Sequence, residues 1–194
     1  MIAEPLTYFS VCSGIEAASV AWKHLGWKCS GFSEIDPFAC AVLKYRWPEY
    51  KNFGNMLDYE NWRNDQPDIL VGGTPCQSFS YNGSRKGLSD PRGNLALVYL
   101  DIARRLQPTW LLWENVLGVL SSNNGRDFGQ FLSKMGQLGY GFAYRVLDSQ
   151  YFGVPQRRRR VFVCGFRGDW RNATKVLFDS GSLSKLVKTG CSRR

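Results

Sequence analysis

The stretch Ile69-Leu-Val-Gly-Gly-Thr-Pro-Cys-Gln-Ser-Phe-Ser80 constrains the fold more than any other. An aliphatic, β-branched run ended by two glycines reads as a buried parallel strand, and the polar segment after it falls at the strand's carboxyl end. Open α/β sheets hold their ligands at that edge. Pro75 fixes its own φ and biases Thr74 toward an extended backbone, so Cys76 is presented by a stiff segment. A thiol is a few per cent thiolate at neutral pH and is the side chain most ready to act as a nucleophile. A cysteine is more often inert core packing. Gln77 and Ser78 are poor core residues, however, and Tyr81-Asn-Gly-Ser-Arg-Lys-Gly87 is basic, glycine-rich and loop-like.

The rest of the chain supplies strands and helices in alternation. Residues 7–12 read as a first strand, broken by Ser13-Gly14 before a helix over Ile15–Leu25 that Gly26 ends. Lys28–Ser33 is a second strand ending at Glu34, and Asp36 caps a helix that Pro37 opens and that runs to Arg46. A glycine turn between strand and helix admits a ligand to the helix's amino end, and an acid at the end of the second strand is where nucleotide-binding α/β folds grip ribose hydroxyls. Each signal is weak alone. Residues 52–68 read as loop. A helix from Gly93-Asn94 to Leu106 precedes a buried strand, Thr109–Glu114, that ends in Glu-Asn-Val. A helix over Phe128–Leu138, a strand over Gly139–Asp148 and a last strand over Arg159–Phe166, entered through Gln156-Arg-Arg-Arg-Arg160, complete the pattern. The expected fold is α/β, a Rossmann-like doubly wound, mostly parallel sheet with helices on both faces. One domain over 1–170 and a weakly patterned, partly disordered tail over 171–194 are expected.

Charge and cysteine usage narrow the function. A net charge of +9 and a pI near 9.4 favour a polyanionic partner. No apolar run reaches the roughly 18 residues needed to span a bilayer, and no secretory signal is visible, so no membrane partner is expected. The six cysteines show no Cys-x-x-Cys spacing and His24 is the one histidine, which leaves no metal site and no dense disulfide framework. A reducing cytoplasm is the expected home.

Gly-Gly-Thr-Pro-Cys-Gln-Ser-Phe-Ser, Trp-Glu-Asn-Val and Tyr-Phe-Gly-Val-Pro-Gln-Arg-Arg-Arg-Arg-Val-Phe, in this order over about residues 7–168, resemble the motifs of the DNA cytosine-5 methyltransferases. The resemblance implies a class I methyltransferase catalytic domain, bacterial or phage-encoded, acting on double-stranded DNA with S-adenosylmethionine as cofactor, in a restriction-modification or related setting. It implies that Cys76 adds to carbon 6 of a flipped-out cytosine, so that carbon 5 can take the methyl group. Glu114 would hold ring nitrogen 3, and a carboxyl that donates a proton there needs desolvation in the closed site. Arg158 and Arg160, on one side of a strand, match the family's Gln-x-Arg-x-Arg and would contact base, backbone and catalytic loop. Arg157 and Arg159 would face away. Gln77, Ser78, Asn115 and Gln156 would meet the substrate. Ser13, Gly14 and Ile15 would lie near the cofactor's methionine moiety, Glu34 on its ribose, Asn55 and Met56 near its adenine, and Pro75 beside its sulfonium.

The chain departs from the family at three places. Cys12-Ser-Gly-Ile-Glu16 stands where Phe-x-Gly-x-Gly is usual, Asn55 stands where an aspartate is usual, and neither a target-recognition domain nor a closing Gly-Asn-Ser helix follows the arginines. Two alternatives therefore stay open: the catalytic part of a split or truncated enzyme that needs a partner chain, and a non-enzymatic nucleic-acid or cofactor-binding relic. A tRNA cytosine methyltransferase would share many of the same motifs.

Overall fold

The computed structural model describes residues 4–62, 66–75 and 95–178. Six strands form one sheet: β1 (Thr7–Val11), β2 (Lys28–Ser33), β3 (Ile69–Gly72), β4 (Trp110–Val116), β5 (Tyr140–Asp148) and β6 (Arg159–Arg167), in the order β2-β1-β3-β4-β6-β5. The pairs β2-β1, β1-β3 and β3-β4 are parallel, whereas β6 runs antiparallel to both β4 and β5. The mostly parallel sheet is thus observed with one reversed strand. The reversal has a local cause: β5 and β6 are sequence neighbours joined by residues 149–158, and adjacent strands with so short a connection pair antiparallel, because a parallel pair needs a full crossover. Its consequence is positional, since the amino end of β6, where the arginines enter, comes to the edge at which β1–β4 end.

Alternation along the strands gives each face its own core. Phe9, Val11, Leu70, Leu111, Trp113, Val161 and Val163 turn to one side. They are covered there by α3 (Leu95–Leu106) and α4 (Arg126–Gln137). From α4, Phe131 stacks on Trp113 with ring centroids 4.4 Å apart. Tyr8 and Ile69 turn to the other side with Cys29, Phe32 and Leu43, and Trp22, Trp27 and Trp47 pack against them. α1 (Ala17–Trp22) and α2 (Pro37–Arg46) lie on that face. Each fully buried Leu or Phe of these cores contributes about 1.5–3 kcal/mol relative to exposure. Helices on both faces agree with the doubly wound expectation.

The helix ends follow local chemistry. Asp36 Oδ1 accepts from Ala39 N at 2.9 Å, with Pro37 at the first helical position. The first helix is shorter than expected: Ile15 and Glu16 form a turn, Glu16 sits in the left-handed region at φ 67°, and Lys23–Leu25 tighten into a 3-10 turn ended by Gly26 at φ 71°. Past the last strand, Trp170–Leu177 form α5, capped by Asp169 and packed on β5 and β6 with Ala173 buried. Among the described residues, no helix is long and apolar enough to cross a membrane.

Candidate active site

Sheet register lines up one edge. Val11, Ser33, Gly72 and Trp113 are the last partners across β2-β1-β3-β4, so Cys12, Glu34, Gly73 and Glu114 follow in the next row. Three strand spacings of about 4.8 Å separate the backbones of Glu34 and Glu114 by ~14 Å. Both halves of the sequence-predicted constellation therefore share the carboxyl edge.

At the β3-β4 end, glycine is required at one position and leaves room for Glu114 at the next. A Cβ on Gly72 would stand 2.6 Å from Val11 Cγ2 and 2.7 Å from Val11 O, and one on Gly73 would stand 3.0 Å from Glu114 Oε2. Beyond them Thr74 is buried and anchored by β4. Trp113 Nε1 donates to Thr74 Oγ1 at 3.0 Å, and Asn115 Nδ2 donates to Thr74 O at 2.8 Å. The backbone that leads through exposed Pro75 toward Cys76 is thereby held to the sheet. Cys76, Gln77 and Ser78 lie outside the described residues. Asn115, expected at the substrate, is 3% exposed, and its Oδ1 accepts from Val116 N at 2.9 Å, so its amide is committed to the chain at both ends. It anchors the cysteine-bearing segment.

Glu114 meets the arginines across the antiparallel β4-β6 pair. Its Oε1 is 3.0 Å from Arg160 Nε and 3.7 Å from Arg158 Nη2. Arg157 leans instead toward Asp148, 4.0 Å away, so the expected sorting of alternate arginines is what the structure has for these three. The Glu114 side chain is 31% exposed, with guanidinium groups beside its charge. Gln156 is exposed, and its carbonyl accepts from Ser149 Oγ.

At the β1-β2 end, the Glu34 carboxylate is held by backbone amides. Oε2 accepts from Gly14 N at 2.7 Å, and Oε1 accepts from Ile35 N and Asp36 N, each at 2.8 Å. Asn52, which the sequence reading passed over, grips the Glu34 backbone, accepting from Glu34 N at 3.1 Å and donating to Glu34 O at 3.1 Å. Ser13 Oγ donates to Ser10 O at 3.0 Å and accepts from Ser33 N at 3.3 Å, stitching the ends of β1 and β2. Gly14, at φ 56°, has open space where a Cβ would stand, and Ile15 is exposed beside it. Asn55 caps a 3-10 turn, Met56–Asn61, by accepting from Leu57 N at 3.0 Å. Met56, expected near the cofactor's adenine, is 4% exposed, with its sulfur 3.4 Å from Cys12 Sγ.

The usual second glycine position of the first motif is filled here by Glu16, whose left-handed backbone is the one glycine adopts freely. It is 1% exposed, Oε1 accepts from Ser19 N at 3.0 Å, and Oε2 has no hydrogen-bond partner among the described residues. Burial raises its pKa. Burial also pushes the thiols of Cys12 and Cys29 up to about 12 and that of Cys164 to about 11, so these three are packing residues rather than nucleophiles.

Residues 6–188 match the family model of the C-5 cytosine-specific DNA methylases. A DNA N-6-adenine-methyltransferase of Escherichia phage P1 is 42% identical over 90% of this chain and 30% of its own length. The orphan methyltransferase M.Rho11sI of Bacillus phage rho11s is 36% identical over 94% of this chain and 37% of its own. The chain thus spans about a third of the length of these relatives. A DNMT2 of Spodoptera frugiperda superposes with a TM-score of 0.65 at 25% identity, covering 84% of this chain and 50% of that one. Sheet, edge and motifs agree, and the chain belongs to the C-5 cytosine-specific DNA methylase family.

Proposed function

We propose that the chain carries the catalytic part of a DNA cytosine methyltransferase, which moves a methyl group to carbon 5 of cytosine in double-stranded DNA. The observation that carries this reading is the Glu114–Arg160 pair at 3.0 Å, set beside the anchored Thr74-Pro75 segment that leads into Cys76. In this reading Cys76 adds to carbon 6 of a base taken out of the stack, at a cost of about a few kcal/mol. Glu114 holds the proton shared with ring nitrogen 3, and Arg158 and Arg160 orient Glu114 and the base. The phage P1 relative is named for adenine N6, but an exocyclic amine needs no thiolate added to the ring. Cys76 and Glu114 together favour cytosine.

S-adenosylmethionine supplies the electrophilic methyl group when bound. The β1-β2 end fits it: a carboxylate has about four acceptor sites, and Glu34 uses three on backbone amides, leaving one for a ribose hydroxyl. Open space beside Gly14, with Ser13 and exposed Ile15, accepts the methionine end. Asn55 borders the adenine side and Pro75 the sulfonium. The net charge of +9 suits a duplex partner.

Covalent trapping tests this function. With S-adenosylmethionine and duplex DNA containing 5-fluorocytosine, no proton can leave carbon 5, so the thioether from Cys76 to carbon 6 persists. A denaturant-resistant adduct formed by the wild-type chain and not by Cys76→Ser is the expected result. Cofactor binding with no adduct from the wild-type chain would contradict it.

A further inference from the structure

The Arg158–Glu114–Arg160 group depends on where the strand-entry backbone is placed, and that backbone is held by two adjacent residues. Asp148, the last residue of β5, is 8% exposed and sits opposite Arg159 in the ladder. Its Oδ1 accepts from Arg158 N at 3.2 Å and from Gln150 N at 3.3 Å. Its Oδ2 accepts from Gln150 Nε2 at 2.9 Å and attracts Arg157 Nε, 4.0 Å away. Ser149 completes the grip. Its N–H donates to Arg158 O at 3.0 Å, its Oγ donates to Gln156 O at 2.5 Å, and the same Oγ accepts from Arg158 N at 3.1 Å.

A simple turn cap would engage only Gln150. Here the same carboxylate binds both ends of segment 149–158 and draws Arg157 to its own side. With Arg157 on that side, strand alternation leaves Arg158 and Arg160 to Glu114. We infer that Asp148, with Ser149, is the positioning clamp that holds Arg157 to one side and delivers Arg158 and Arg160 to the catalytic carboxylate. The inference rests on the proposed role of those arginines at the base, but its geometry can be read without turnover.

The test uses the full chain, labelled with 15N for observation of the arginine Nε–H groups, as wild type, Asp148→Ala, Asp148→Asn and Ser149→Ala. Asparagine keeps an oxygen for Arg158 N and Gln150 N while giving up the charge toward Arg157. Water exchange of Arg160 Nε–H should accelerate at least ~10-fold in Asp148→Ala and stay within ~3-fold of wild type in Asp148→Asn. Ser149→Ala, which leaves Arg158 N one acceptor, should fall between them. The rate of adduct formation should drop in the same order while S-adenosylmethionine affinity, read at the distant Glu34 end, holds within about 2-fold. General loosening of the fold would move both. Unchanged Arg160 exchange in Asp148→Ala overturns the clamp, as does equal damage to adduct rate and cofactor affinity. If Asp148→Ala does not fold, Ser149→Ala and Asp148→Asn decide, and wild-type exchange in Ser149→Ala then counts against the clamp. A wild-type chain that forms no adduct sinks the methyltransferase reading alone, because the exchange rates still decide the clamp.

Discussion

Two glutamates occupy the same edge of the sheet and are held in opposite ways. Glu34, after β2, is gripped by neutral backbone amides from Gly14, Ile35 and Asp36, in the part of the sheet where every pairing is parallel. Glu114, within β4, is held by guanidinium groups at the entry of a strand that runs the other way. Backbone amides fix a carboxylate in one orientation and change little with ionic strength. Long arginine side chains on a 31% exposed carboxylate can move, and their attraction is screened within a Debye length of about 10 Å at 0.1 M salt. The difference suits the proposed division of labour, in which one end holds a ligand still and the other shares a proton with a base that arrives and leaves.

Three substitutions probe that division. The largest effect is expected from Glu34→Ala, which frees three backbone donors and removes the proposed ribose acceptor. S-adenosylmethionine dissociation constants, measured by calorimetry, should rise ~10–100-fold, about 1.4–2.8 kcal/mol, with the adduct rate at saturating cofactor within ~3-fold of wild type. A collapse of both would show that the two ends are not independent. Gly73→Ala sharpens the other side. Its Cβ would press on Glu114 Oε2 at 3.0 Å, so the adduct rate should fall ~10-fold while cofactor affinity stays within about 2-fold.

Glu16→Gln should affect the reaction least, within about 3-fold, but it isolates a pH dependence. The folded-state pKa of Glu16 is raised by burial, so the folded chain holds this proton more tightly than the unfolded chain does. The corresponding stability is fully present below the unfolded value of about 4.3 and is lost as pH rises through the higher folded value. Urea unfolding across that range should therefore show a downward slope in wild type that the glutamine protein lacks. Equal slopes would remove Glu16 from the account.

Much of this arrangement was readable from residue order. Asp36-Pro37 marks a helix start and Gly26 a helix end through chemistry confined to a few neighbours, and both stand as expected. The separation of Arg158 from Arg157 follows from the period-2 geometry of an extended chain and needs no tertiary information. What was not readable depends on partners distant in sequence. Nothing near Glu114 announces that the strand beside it is reversed, and only that reversal brings Arg160 to it. A parallel last strand would have left the arginines at the opposite edge. The contacts of Asn115 and Met56 with Thr74 and Cys12, 41 and 44 residues away, could not be read locally either. Glu16 reads as a lost glycine in sequence, whereas in the fold it keeps the glycine-like backbone and places its carboxyl under the turn.

The central claim is that Glu114 and Arg160 work as one unit across β4 and β6, and a double-mutant cycle tests it most directly. Adduct formation with 5-fluorocytosine DNA at saturating S-adenosylmethionine is measured in single turnover for wild type, Glu114→Gln, Arg160→Ala and the double variant. If the pair acts as a unit, each single change should slow the rate by ~100-fold and the double change should be little worse than the worse single one. Losses that multiply, giving ~10,000-fold in the double variant, would mean that the two residues act separately and that the antiparallel pairing of β6 is only structural.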